Sequence, residues 1–236
     1  MRKTKPTLEP QQERSRESLR KLLKAAAEVL GQHGVDGTTI PRIAEHAGLT
    51  PGAVYRRFRD KDELLETAIM GILERQEERL KEGMTPAMAA KIPLDVFAEQ
   101  IIGGLVVSYR ANAALLRALR QFIQGKLNTE FLKKAAKLEV RTYERLVDLI
   151  LAGRRDIRHP NPRIAVSLGM MMVISTLYEL LVMPANVKDW KDLLPKDDQA
   201  LKRELTRAFL SYLEVESKPR TPASPTGRSR ASRRRA

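Results

Sequence analysis

The sequence has no cysteine among its 236 residues. Disulfides and thiolate metal sites are therefore excluded, and a reducing compartment suits the chain. Aromatic residues are only 5% of the composition, and the rest is rich in Ala, Leu, Glu, Lys and Arg, which favours helix over sheet. Histidine is scarce. His33, His46 and His159 fall on separate segments, so no HExxH pair or clustered metal set exists. GxSxG, GxxxxGK and GxGxxG are missing as well. These gaps argue against an enzyme and leave no residues to assign to a metal or cofactor. The first residues carry no apolar run, so no signal peptide is visible and a cytoplasmic, nucleoid-associated location is expected.

Positive charge is abundant. The net charge is +14 and the pI about 10.2. Its distribution matters more than its total. Residues 218–236, KPRTPASPTGRSRASRRRA, hold seven basic and no acidic side chains, half of the +14 excess. This Pro/Ser/Arg-rich stretch reads as a disordered basic tail, either simply solvated or lending electrostatic help to nucleic-acid binding. Residues 1–15 read as a flexible arm. Residues 16–66 form one expected domain and residues 67–217 a second, both helical.

In the first of these, Leu19, Leu22, Leu23, Ala26 and Leu30 fall at helical spacing, and Gly34 suits a left-handed cap. Thr38 or Thr39 caps a second helix that tolerates Pro41 in its first turn and buries Ile43 and Ala44. Gly48 permits a sharp turn. The stretch LTPGAVYRRFRDKDEL, residues 49–64, then places Thr50 as a cap with Pro51 at the first helical position, where a missing N–H costs nothing. Val54 and Phe58 share the inward face. Gly52, Ala53, Arg56 and Arg57 lie on the other side, bare at its start and basic further along. A recognition helix needs that arrangement, because small residues let its end approach base edges and arginine can fork onto guanine or clasp phosphate. Tyr55 offers a hydroxyl for phosphate. Lys61 opens the next helix, where Asp60 and Glu63 form a capping box.

Ala26, Gly34, Thr38-Thr39, Ile43-Ala44, Ala47-Gly48, Thr50, Gly52, Tyr55, Phe58, Lys61 and Leu64 together resemble the DNA-binding domain of the TetR family of bacterial transcriptional regulators. The resemblance implies an all-α fold, with an N-terminal three-helix helix-turn-helix domain and a C-terminal helical domain for ligand binding and dimerisation. It implies that Thr50, Tyr55 and Lys61 position phosphates and that Gly52, Ala53 and Arg56 face bases. Arg42, with Thr38 or Thr39, would meet backbone or a groove edge. Arg57 is open between the two roles, with phosphate preferred. Pro41 and the pair Arg56-Arg57 depart from the family's usual pattern, so operator choice is expected to be decided there. The implied partners are a double-stranded, palindromic DNA operator, a second copy of the chain and a small, largely apolar effector, with repression as the family's habit. A ligand-insensitive nucleoid or architectural DNA binder is the alternative.

Further along, helices are expected over 93–110, 112–124, 128–153, 161–183 and 197–213. Ser108, Tyr109, Gln121, Phe122, Tyr143, Thr176 and Tyr178 are the candidate lining of an effector pocket. The segment IAVSLGMMMVISTLYELLVM, residues 164–183, is apolar all round and must be buried on every side. A dimer helix satisfies that, as the family uses its last two helices, with Ser167, Met171, Ile174, Tyr178 and Phe209 as candidate contacts. A buried core helix and a membrane span are the rivals. Glu179 and the small polar residues weigh against the span, so no membrane partner is expected.

Overall fold

The computed structural model describes residues 10–124, 126, 129–152, 156–183, 188–190 and 192–215. Within them every extended element is a helix. In order these are α1 (Pro10–Gly37), α2 (Ile40–His46), α3 (Pro51–Tyr55), α4 (Lys61–Gly83), α5 (Pro86–Ala89), α6 (Leu94–Gln124), α7 (Glu130–Leu151), α8 (Pro162–Leu177), a π-helical segment (Tyr178–Val182) and α9 (Asp198–Tyr212). The tail 218–236 and residues 1–9 lie outside the described residues.

Starts are set by side-chain caps at the predicted places. Thr50, Asp60, Asn161 and Asp197 each accept from the backbone N–H three residues on. The second helix is capped by Thr39 rather than Thr38. The capping box at α4 is altered: Glu63 Oε2 accepts from the Arg59 backbone N–H at 2.7 Å, one residue before the cap. Gly48 (φ 68°) takes the positive angle its turn requires, whereas Gly34 (φ 66°, ψ −176°) has a positive φ without the left-handed helical ψ expected of a cap. Gly34 kinks α1 before its last turn, and Gly48 turns α2 into α3.

Four expectations are corrected. Residues 10–15, assigned to the arm, are already part of α1. The two helices expected over 93–124 are one. Asn112 does not interrupt α6, because its amide nitrogen donates to the Ser108 carbonyl one turn back at 2.8 Å and alanines flank it. The next helix starts later than expected, with Thr129 as its cap. The short α5, capped by Thr85, was not foreseen.

Two cores result. One joins α1–α4 through Leu22, Ala26, Leu30, Ile43, Val54, Leu64 and Leu65, and it also takes in Ala118 and Phe122 of α6 with Phe131 and Ala135 of α7. The other joins α6–α9 around Ile102, Ile150, Met170, Leu177 and Phe209. Helix α6 belongs to both, so the far end of the second domain is packed directly under the first. Residues 162–182 are long and apolar enough to cross a membrane by length and composition. In the fold one side of that segment is packed against the second core, at Ala165, Val166, Gly169, Met170 and Val173.

Candidate nucleic-acid interface

Helix α3 has five residues and is held by its neighbours rather than by its own propensity. Thr50 Oγ1 accepts from Ala53 N at 3.3 Å, Pro51 fixes the first helical angle, and Val54 and Phe58 are sunk into the first core. That anchoring decides what faces outward. Gly52 is exposed, and a methyl group added there would meet nothing within 4 Å. Ala53 is half-buried, Tyr55 is 57% exposed, and Arg56 and Arg57 are exposed. Among the described residues the side chains of Tyr55 and Arg56 make no hydrogen bond or ion pair. The surface is therefore bare at the start of α3 and ends in an uncommitted phenol and an uncommitted guanidinium.

Other candidates are tied down. Arg57 donates to Ser18 Oγ at 3.3 Å, Ser15 Oγ at 3.2 Å and the Ser15 carbonyl at 3.4 Å, which links α3 back to α1. Thr39 is exposed but serves as the α2 cap, receiving Arg42 N at 3.4 Å. Arg42 is exposed and its guanidinium donates to the Gly37 carbonyl. One assignment is corrected. Thr38 is fully buried, and its hydroxyl donates to the Gly34 carbonyl, a group the kink would otherwise leave without a partner. It is unavailable to DNA. Lys61 is half-buried, and its ammonium donates to the Val35 carbonyl at 3.1 Å, fastening α4 to the end of α1. Sequence spacing could not show this, because Val35 is twenty-six residues away. Nor could it show that His46 Nε2 lies 3.0 Å from Glu28 Oε2, joining α2 to α1.

The effector candidates do not form one wall. Phe122 is buried in the first core, edge-on to Phe131 with centroids 6.4 Å apart, and Ser108 and Gln121 are exposed. Thr176 donates to the Met172 carbonyl of its own helix at 2.8 Å. Tyr143 donates to the Ser167 carbonyl. What remains is Tyr109 of α6 and Tyr178 of the π segment. The Tyr178 hydroxyl is buried without a partner among the described residues, and Arg120 lies over its ring at 4.9 Å. Burial, then the charge of Glu139, then Tyr178 push the Tyr109 phenol above its ordinary range. Glu139, on α7, supplies that charge, and partial burial raises its own carboxyl. None of the seven candidates lines the cleft of about 270 Å³ between α6, the π segment and α9, whose rim includes Arg110, Lys188, Pro195 and Asp198.

A raised carboxyl binds its proton more tightly in the folded chain. Its contribution is present below the unfolded value and is lost as pH rises through the folded value. Glu139→Gln should therefore raise the melting temperature at pH 7 by about one or two degrees, since much of the residue stays exposed and the effect is small. The gain should vanish below the ordinary carboxylate range. Melts at pH 7 and at about pH 3, below the ordinary carboxylate range, check this, and a variant less stable than the parent at pH 7 contradicts it.

The dimer candidates are also rearranged. Phe209 is 2% exposed and packs inside its own chain against Gly169, where an added methyl would sit 2.8 Å from its ring. Ser167, Ile174 and Tyr178 occupy the half-buried flank of α8 and its extension. Only Met171 lies on the open face, beside Ile164, Leu168 and Met172, which are 57%, 46% and 44% exposed. Of these candidates the structure contradicts Phe209, which its own chain buries; α8 is apolar all round and gives no periodicity from which to choose a face. Gly169 was the available signal, since a close-approach glycine marks the packed side.

Residues 22–68 match the profile of a family described as bacterial regulatory proteins, tetR family. The chain is 23% identical over 194 residues to the HTH-type transcriptional regulator BetI of Escherichia coli O45:K1, covering 81% of this chain and 91% of that one. Among solved structures it resembles the fatty acid degradation regulator FadR from Bacillus halodurans, with a TM-score of 0.59 at 18% identity, covering 91% of this chain and 100% of that one. It also resembles FadR from Bacillus subtilis, solved in complex with stearoyl-CoA, with a TM-score of 0.55 at 19% identity over 82% and 98% of the two chains.

Proposed function

The chain belongs to the TetR family of bacterial regulatory proteins, and from that premise we propose that it is a ligand-responsive repressor acting as a homodimer on a palindromic DNA operator. The observation that carries this reading is the outward side of α3. Gly52 and Ala53 lie at its start and Tyr55 and Arg56 at its end, all fixed from beneath by Val54 and Phe58. The bare end enters the major groove, Arg56 reads a base, and Tyr55, Thr50, Thr39 and Arg42 hold phosphates. Residues 16–66 carry this role, and residues 67–217 carry dimerisation and effector binding. One small helix-turn-helix contacts few base pairs, so two copies related by a two-fold axis supply the rest. The open face of α8 supports that pairing.

FadR from Bacillus subtilis has been solved with an acyl-CoA, which supports an effector of mainly apolar body. In this chain the unpartnered Tyr178 hydroxyl, near Tyr109, offers such a molecule one polar anchor. Helix α6 carries Tyr109 and also packs under α1 through Leu115 and Ala118. An effector that prefers one setting of α6 thereby shifts the spacing of the two recognition helices and lowers DNA affinity by its differential binding.

Arg56→Ala is expected to lose about 1–3 kcal/mol on the operator and to relax preference at a single base pair per half-site. Binding to the operator and to each of its single-base variants measures this. An equal loss on operator and random duplex contradicts a reading role. Deleting residues 218–236 should reduce the salt dependence of binding while keeping base preference. Loss of preference in that truncated chain would contradict an accessory role for the tail.

A further inference from the structure

We infer that the first half of α1, through Arg14, Ser18 and Lys21, is a phosphate clamp that grips the duplex beside the base pairs read by α3. This rests on the DNA-binding reading above and assigns residues that precede the family match at residues 22–68. From Leu22 onward one stripe of α1 is core: Leu22, Ala25 and Val29 are buried. Leu19, partly buried against the same core, carries that stripe one turn further, and beside it Arg14, Ser18 and Lys21 fall on one edge of the helix. Residues 12–18, before Leu19, are all polar or charged, so α1 extends past its own core with a polar edge that carries Arg14. An overhang built only for stability would continue the apolar stripe.

This overhang borders the recognition unit at both ends. Arg14, Glu17, Ser18 and Lys21 face Ala47, Gly48 and Leu49, the turn into α3, across a cleft of about 230 Å³. At the other end Arg57, just past α3, donates to Ser15 and Ser18. Glu17 is the one acidic group in the cleft, and it is paired with Lys21 at 3.0 Å, which pulls its carboxyl below the ordinary range. Arg14 has no partner among the described residues. A phosphate beside the turn meets Arg14 directly, with Ser18 Oγ as a further donor and Lys21 adding charge. Arg57 is already aimed into the same strip. Such contacts position the protein and carry no sequence information.

The test uses duplexes enriched from a random library by the full chain, then ethylation interference and salt dependence for the parent, Arg14→Ala, Arg14→Lys and Arg14→Ala/Lys21→Gln. The expected result is interference at phosphates flanking the base pairs fixed by selection. These signals should be lost in both alanine variants and retained in Arg14→Lys. The slope of log affinity against log salt should fall by about 0.9 for the phosphate lost in each alanine variant and stay near the parent's in Arg14→Lys, with base preference unchanged. Unaltered interference and slope would overturn the clamp while leaving the repressor reading intact. So would a changed base preference, because the overhang would then read a groove. Failure of the parent chain to enrich any sequence would instead remove the repressor reading, and the clamp with it.

Discussion

If the chain pairs through the open face of α8 as proposed, replacing Leu168 with Glu is expected to leave a well-folded monomer. In a single chain Leu168 is 46% exposed, so the carboxylate can stay hydrated and the melting temperature should move little, within the roughly 0.5 kcal/mol usual for surface changes. In a two-fold pair the same face is self-complementary, and each copy buries the new charge against Ile164, Met171 and Met172 of apolar surface. An unpaired buried charge costs about 3–5 kcal/mol, and the symmetry imposes it twice. Each 1.4 kcal/mol being tenfold, dimer affinity should fall by about four orders of magnitude or more. Operator binding should fall with it, since a monomer engages one half-site. Sedimentation at micromolar concentration with a parallel melt checks this. A dimer that persists in the variant places the interface elsewhere.

The second large effect is at Gly169. An added Cβ there would lie 2.8 and 2.9 Å from ring carbons of Phe209 and 3.4 Å from Tyr212. Alanine in a helix interior gains up to about 1 kcal/mol over glycine, but overpacking a core costs about 1–3 kcal/mol. The Phe209 ring is enclosed and has no open space to swing into. Gly169→Ala should therefore be between neutral and about 2 kcal/mol destabilising. Gly169→Val adds two further methyls and should cost about 3 kcal/mol or more, prising α9 from α8. Chemical denaturation of the two variants measures the difference. A valine variant as stable as the parent would show that α8 and α9 do not pack as described.

The helix-turn-helix was legible because its signals are local. Caps, a proline at the first helical position, two positive-φ glycines and an i, i+4 apolar pair each act within a few residues, and Val54, Phe58, Gly48 and Thr50 take the expected places. What escaped depends on partners distant in sequence. Lys61 looked free because the Val35 carbonyl is distant in sequence, and Thr38 looked exposed because only the kink at Gly34 explains its burial. The break expected before residue 112 is absent, because the Asn112 amide bonds one turn back to the Ser108 carbonyl. The open face of α8 was illegible for a different reason: residues 164–183 lack polar periodicity, so packing against Phe209 sets which side is covered. The effector lining was least legible, because Ser, Gln and Tyr at helical spacing look alike whether they face a core, a cavity or water.

The most direct test is to count chains on an enriched duplex. Full-length protein would be titrated onto a site selected from random sequence, and the mass of the complex measured by sedimentation. The expected result is two chains on a two-fold symmetric site, with half-site centres about 34–36 Å or a multiple apart along the helix axis. One chain on an asymmetric site, or binding with no enriched sequence at all, would contradict a dimeric repressor that reads DNA through α3.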